Sequence, residues 1–561
     1  MLEPSWHYSQ RTLRITQHRR WKVILVVDLV IRDATVVDGT GAPRRRADVT
    51  VTGGLIDTVA SPGERLTARR TIDADGLVLA PGFVDMHTHS DLRVLVEPGH
   101  PSRITQGVTC EVLGQDGLSY APVDDTTLPA LRRQLAGWNG DPEGFDWSWR
   151  TVGEYLDRLD TGTAVNTCYL VPHGTVRMLA MGWDDRPPTP AELDRMRALV
   201  ADGLDEGAVG LSSGLSYPPG MYAGTAELTA LCEVVAAAGG FHAPHQRSYG
   251  AGALEGYAEM IAIARASGCP LHLTHATMNF EVNRGRAGEL LALVDAALAE
   301  GLDITLDSYP YLPGSTTLAA LLPGWAAAGG PDATLARLGD PAARERIRTA
   351  LEETGSDGCH GVTADWHTVQ ISGVGDPALA DLVGRTVAEV AAAHGTTGTG
   401  AFLDLLRRDR LATTILQHVG DEANVRAVMR HPAHTVGSDG LLVGDRPHPR
   451  AWGTFARYLG HYGRDEGVLT LEETIARMTG RPARRLRLHR RGLVRPGHHA
   501  DLVLLDAETV RDTATFDRPR RPAAGIAHVW VNGTAVLRDG HPTGALPGRT
   551  LRRTADGTRA R

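Results

Sequence analysis

Residues able to bind a metal or move a proton recur in one kind of place along this 561-residue chain, directly after short apolar runs. They are His87 and His89, Asp116, His173, His245, His275, Tyr309 and Asp439. A lone histidine is most often a hydrogen-bonded structural residue, so none of these carries a function by itself. His-x-His at a strand end says more, because alternate residues share a face and send both rings into the same space. His242, His272, His360 and His367 lack that placement and read as structural or surface residues. Ser212, Ser213 and Ser216 fall in LSSGLS, which lacks the G-x-S-x-G setting of a nucleophile elbow, so they are expected to line a strand.

The elements that must position these residues follow from the runs before them. Strand candidates end in GFVDMHTHSD, VTCEVLGQDG, NTCYLVPHG, AVGLSSGLSY, GGFHAPHQRS, PLHLTHATM, LDITLDSYPY and HTVGSDG, with helical Ala/Leu/Glu-rich runs between them. Strand–helix alternation of this kind predicts a (β/α)8 barrel, whose active site lies at the C-terminal ends of its strands. Thr189-Pro190-Ala191-Glu192 is a helix start, a capping box with proline at the first helical position. One connection, between Tyr311 and His434, is too long for the pattern. It predicts a helical subdomain inserted at the barrel mouth, over about residues 313–433. Alternating strands with Gly-containing turns mark both chain ends, as in LVIRDATVVDGTG and AAGIAHVWVNGTAVLRDG. Residues 26–82 and 484–550 are therefore expected to form a small β-sandwich domain, leaving 83–483 to the barrel. Residues 1–25 carry Arg11, Arg14, Arg19, Arg20 and Lys22 and read as a disordered leader. The apolar run at 23–27 is cut by Asp28, too early for a secretory signal of about 7–15 apolar residues.

Composition closes several classes. The chain has 58 basic and 66 acidic residues, a net charge of −8, which argues against nucleic-acid or anionic-membrane partners. No apolar run approaches the ~18–20 residues that span a bilayer. Five scattered cysteines without C-x-x-C spacing fit reduced thiols in a cytoplasmic protein. Lys22 is the only lysine, so a Schiff-base, P-loop or carboxylated lysine in the barrel is excluded.

PGFVDMHTH at the first strand and GSDG at the last resemble the amidohydrolase superfamily. Within it the chain is similar to the D-aminoacylases, the N-acyl-D-amino-acid deacylases. The stretches that carry this are ITQGVTCEVLGQDGLSYAP, GLSSGLSYPPGMYA, FHAPHQR, DSYPYLPGST, MRHPAHTVGSDG, HPHPRAWGTFARYLG and RPGHHADLVLLD, from about residue 29 to the end. The resemblance implies that His87, His89 and Asp439 bind one metal, and that His245 and His275 bind a second, the tight zinc of the family. The family's bridging ligand is a cysteine in an Asn-Cys-Gly turn, where this chain has Gly114-Gln115-Asp116-Gly117. Cys110 lies six residues earlier, about 20 Å along a strand, and reads as core. Asp116 is a competent oxygen ligand at about 2.0–2.2 Å, and a harder one than thiolate, so manganese or cobalt would be tolerated beside zinc.

The implied substrate is a small N-acyl amino acid and the implied chemistry is amide hydrolysis. Zinc lowers the pKa of a bound water to around 7. Asp439 would take that water's proton and return it to the leaving amine. Tyr309 matches the tyrosine that hydrogen-bonds the developing oxyanion, and Arg450 the arginine that holds the substrate carboxylate. Ser315 looks like a second carboxylate donor. Thr277 stands where the family commonly has a lysine, so one carboxylate contact is missing. Three alternatives stay open. One is a deacylase of acidic N-acyl-D-amino acids, which needs an extra cation, with Arg247 and Arg284 as candidates. Another is a different linear or cyclic amide hydrolase on the same scaffold. The third is a non-catalytic scaffold protein, which would show eroded ligands, whereas His87, His89, His245, His275 and Asp439 are all present.

Overall fold

A computed structural model describes residues 26–63 and 67–554; the leader expected over residues 1–25 lies outside the described residues. Eight parallel strands form the barrel: β1 (Phe83–Asp85), β2 (Val108–Leu113), β3 (Asn166–Pro172), β4 (Gly210–Gly214), β5 (His242–His245), β6 (Leu271–Leu273), β7 (Ile304–Ser308) and β8 (His434–Val436). They pair in chain order, from Phe83 opposite Val108 round to Leu306 opposite His434. The ring closes between β1 and β8, where Met86 N–H donates to the Val436 carbonyl at 3.2 Å and Asp439 N–H to His87 at 2.8 Å. Every residue of β2, β3 and β4 is buried, as expected when helices cover one face and the barrel interior the other. Leu271, Leu273 and Leu306 are fully buried, and each such side chain contributes about 1.5–3 kcal/mol by leaving water.

The helix beginning at Pro190 starts as its sequence predicts: Glu192 N–H donates to Thr189 Oγ1 at 3.3 Å, and the Glu192 carboxylate accepts from Thr189 N–H at 2.7 Å. Strands from both chain ends share one nine-stranded sheet, joined where Val78–Pro81 pairs antiparallel with Leu502–Leu505. The two-residue period separates its faces. Leu502 and Leu504 pack with Leu29, Ile31 and Trp530 on one side. Val503 and Leu505 face the other way, onto Phe83, Phe455 and Tyr458 of the barrel.

The insertion departs from the all-helical expectation. It holds helices Gly330–Gly339, Pro341–Thr349, Val387–His394 and Gly398–Arg408. It also holds a three-stranded antiparallel sheet in the order Gly314–Thr317, Thr414–Gln417, Val369–Gly373. The strands are short β-branched runs (GSTT, TILQ, VQISG) that the surrounding Ala- and Arg-rich composition masks. Their edge reaches the barrel mouth, where Ser315, Thr316 and Gln417 line the cavity above the strand ends.

Candidate metal centre

Each side chain of the centre is delivered by the end of a strand. At the end of β1, Asp85 Oδ1 accepts from the N–H groups of His87 (3.3 Å) and Ser438 (2.7 Å), tying the His-x-His to the last strand. After β2 the chain turns through Gly114 (φ 79°), Asp116 (φ 54°) and Gly117 (φ 69°). The Ser212 hydroxyl, reaching across from β4, donates to the Gly114 carbonyl and accepts from Gly117 N–H at 3.0 Å. Gly214 must lack a side chain, because a Cβ there would lie 1.9 Å from the Asp116 carbonyl. His245 closes β5, His275 (φ 31°) follows β6, and Asp439 (φ 50°) follows β8. Three of the six residues thus hold left-handed backbone, which non-glycine residues adopt seldom and which recurs at functional sites.

All six are buried and they converge. Asp116 Oδ1 lies 3.5 Å from His87 Nε2 and 3.5 Å from His275 Nε2, and Oδ2 lies 3.5 Å from His89 Nε2 and 3.3 Å from His245 Nδ1. Asp439 Oδ1 is 3.1 Å from His89 Nε2 and 3.6 Å from His87 Nε2. The ligand-type atoms form two groups that share Asp116: His87, His89, Asp116 and Asp439, and Asp116, His245 and His275. His245 presents Nδ1 because its Nε2 is bonded to the Ser216 hydroxyl at 2.6 Å. Asp307 on β7 sits behind the group, accepting from His275 N–H and bonded to His272 Nε2, each at 2.9 Å, with His87 Nδ1 at 3.8 Å.

Burial alone would push the Asp116 carboxyl up, but His245, His87 and His275 outweigh it and hold it well below the usual carboxylate range. Asp439 behaves alike: burial raises it, and Arg450 and His87 bring it far down. Imidazole nitrogens face one another here, His87 Nε2 to His89 Nε2 at 3.3 Å and His245 Nδ1 to His275 Nε2 at 3.0 Å. Buried Asp116 Oδ1 has no hydrogen-bond partner. Imidazole nitrogens and carboxylates that crowd together and leave a buried carboxylate oxygen unbonded are the donor set of a divalent cation such as zinc. The residues present fit a metal.

Arg450 and Tyr309 stand beside this group. The Arg450 guanidinium lies over the Tyr309 ring at 4.5 Å, with Nη1 3.0 Å from Asp439 Oδ2 and Nη2 donating to the Ser315 carbonyl at 3.3 Å. Its buried Nε makes no hydrogen bond. Burial pushes the Tyr309 hydroxyl up to about 12 despite the opposing pull of Arg450, so it stays a donor at neutral pH. Ser315 lines the same cavity.

The packing corrects some of the other expectations and bears out the rest. His173, although at a strand end, stays outside the centre, held by Glu227 at 2.8 Å, which Arg177 also contacts. Neither Arg247 nor Arg284 lines the cavity. Arg247 is turned onto Glu259 at 2.7 Å, and Arg284 is exposed and paired with Glu281. His242 and His272 are structural, bonded to Ser213 and to Thr305 with Asp307. His367 is exposed. His360 is not a surface residue: it lines the cavity against Tyr249 and Phe280, and burial depresses it to about 3, leaving it neutral. Cys110 is buried core, as expected.

Sequence reasoning missed Trp138 and Tyr217, whose rings pack in series on His89 (4.7 Å) and on each other (5.0 Å). No local pattern marks them. Asp307 could have been found, because it is a carboxylate near the C-terminal end of β7, where a barrel places its site.

The amidohydrolase family model matches residues 70–537. An N-acyl-D-glutamate deacylase of Alcaligenes xylosoxydans xylosoxydans is 36% identical over 94% of this chain and 97% of its own. A D-aminoacylase of the same organism is 35% identical over 94% of this chain and 98% of its own. The crystal structure of N-acyl-D-glutamate deacylase from Bordetella bronchiseptica, in complex with zinc and a phosphonate mimic of the tetrahedral intermediate, aligns at TM-score 0.80. It is 34% identical and covers 94% of this chain and 100% of that one. On the extent of the family match and of these relatives, the chain belongs to the amidohydrolase family.

Proposed function

We propose that the protein is a metal-dependent amide hydrolase that converts N-acyl-D-amino acids into a carboxylate and the free D-amino acid. The observation that carries this is Asp116, whose two oxygens lie within 3.5 Å of nitrogens from all four ligand histidines. His87, His89 and Asp439 would hold one ion, His245 and His275 another, with Asp116 shared, for one or two zinc ions or, with a carboxylate as the shared ligand, manganese or cobalt. The bound ion supplies Lewis acidity and a water of lowered pKa. Asp439, ionised beside Arg450, receives a proton at its carboxylate and passes it to the leaving amine. Tyr309 donates its hydroxyl to the carbonyl oxygen as charge builds there. Arg450 offers a planar fork, pre-set over Tyr309, for the substrate carboxylate, with the Ser315 hydroxyl beside it. The intact donor set disfavours a non-catalytic scaffold.

The five cysteines are free, which supports a reducing, cytoplasmic setting. No described helix is long and apolar enough to cross a membrane. The net charge of −8 supports a protein without nucleic-acid or anionic-membrane partners. The division into a chain-end domain (26–82 and 484–550) and a barrel (83–483) with its insertion belongs to the same reading.

The test is a hydrolysis screen over N-acetyl D- and L-amino acids, with bound metal measured on the same preparation. Turnover of D-substrates, lost on chelation and restored by zinc, manganese or cobalt, is expected. A metal-loaded protein that cleaves none of them would refute the proposal.

A further inference from the structure

We infer that the cavity accepts N-acyl-D-amino acids with uncharged side chains and rejects those with acidic ones, an inference that rests on the deacylase reading above. Overall similarity does not separate these classes, since the N-acyl-D-glutamate deacylase and the D-aminoacylase match at 36% and 35% identity. The charges that face the cavity do.

A deacylase substrate already carries one anion, its α-carboxylate. Arg450 is the only arginine or lysine among the described residues that line the cavity. It is fixed next to the metal ligands by Asp439 and the Tyr309 ring, so the carboxylate it pairs with is the one beside the scissile bond. A second carboxylate, three or four bonds away on a side chain, needs a second cation. Each position that could supply one fails. Thr277, on the cavity wall, carries a neutral hydroxyl committed to Asn279 Oδ1 at 2.8 Å. Arg247 is spent on Glu259 and on the carbonyls of Met221 and Ala223, behind the cavity wall. Arg284 sits outside with Glu281. His360 is neutral where it lines the wall.

What the side chain does meet is apolar or uncharged. Trp138 packs on His89 and Tyr217 bridges from Trp138 to His245, and Phe280, Leu321 and Leu441 add apolar lining, with Asn279 and Gln417 as neutral polar groups. Neutral amides can hydrogen-bond a carboxylate but cannot offset the loss of its hydration, so a buried unpaired charge is strongly disfavoured. The same wall gains by covering leucine, methionine or phenylalanine side chains.

The experiment compares kcat/KM on the metal-loaded wild-type protein for N-acetyl-D-leucine, -methionine and -phenylalanine with those for N-acetyl-D-glutamate and -aspartate. N-acetyl-D-glutamine and -asparagine serve as controls of equal size that lack the charge. The neutral substrates and both amides should exceed the acidic pair, with glutamine above glutamate by on the order of 10²-fold. Glutamate or aspartate matching or exceeding its amide would overturn the inference while leaving the deacylase reading standing. If no D-substrate turns over although metal is bound, both fall together.

Discussion

Replacing Asp116 tests the centre most directly, because its carboxylate lies between the two histidine pairs and each oxygen touches one ring of each pair. Protein zinc sites of four ligands bind with about 10–16 kcal/mol, so one ligand is worth about 3 kcal/mol, or roughly 10² in Kd. A shared ligand weakens both positions at once. Asp116→Asn is the informative variant. Asparagine keeps the size and tolerates φ 54°, so the turn is preserved while the charge is lost. Asp116→Ala removes the ligand too, but adds about 1–2 kcal/mol of destabilisation from alanine in left-handed backbone. Asp116→Cys restores a ligand of softer type and should keep metal while shifting preference from manganese towards zinc. Metal stoichiometry by mass spectrometry and competition titration against a chromophoric chelator read all three. The Asn and Ala variants should bind about 10²-fold more weakly at both positions. If both bind metal with wild-type affinity and stoichiometry, Asp116 is a turn residue and the histidines with Asp439 hold the ion alone.

Four further outcomes follow from the geometry. Asp439→Asn should lower kcat by at least about 10²-fold with an unchanged circular-dichroism spectrum, and near wild-type kcat at full metal content would remove Asp439 from proton transfer. Arg450→Lys loses the fork and the stack on Tyr309, so kcat/KM should fall about 10–100-fold, chiefly through KM. Asp307→Asn leaves His275 and His272 poorly oriented, and the metal Kd measured by titration should rise about 10–100-fold. Glu111 is fully buried against His100 (2.9 Å) and Arg103 (3.1 Å); burial would raise its pKa, yet these two partners bring it from 4.5 to about 2. Its ionised form therefore adds on the order of 3 kcal/mol of stability above pH 4.5, lost as pH falls towards 2. Melting curves of wild type and Glu111→Gln from pH 7 to pH 3 should converge in acid, and a constant gap would contradict the assignment.

Much of the centre was legible in the chain. Alternation puts His87 and His89 on one face, strand ends set the position of Asp116, His245, His275 and Asp439, and both signals are local. Helix starts such as Thr189 to Glu192 are local too, since a capping box closes within one turn. The eight strands appear in order because each is a short apolar run between helical ones, and parallel neighbours in a barrel follow chain order. The sheet in the insertion is not legible because its three short strands make sense only when they pair across long stretches of chain, Thr317 with Thr414 and Gly373 with Thr414.

Contacts between distant segments were decided by tertiary structure alone. The chain alone names Arg247, Arg284 and His360, but it does not say that the first turns onto Glu259, the second points outward and the third joins the cavity wall. It contains Trp138 with no hint that its ring rests on His89, some fifty residues away. The candidate ligands are marked by residue type and strand position, which neighbouring residues determine. The charge a cavity can neutralise depends on where long flexible side chains find partners, and those partners come from other parts of the fold.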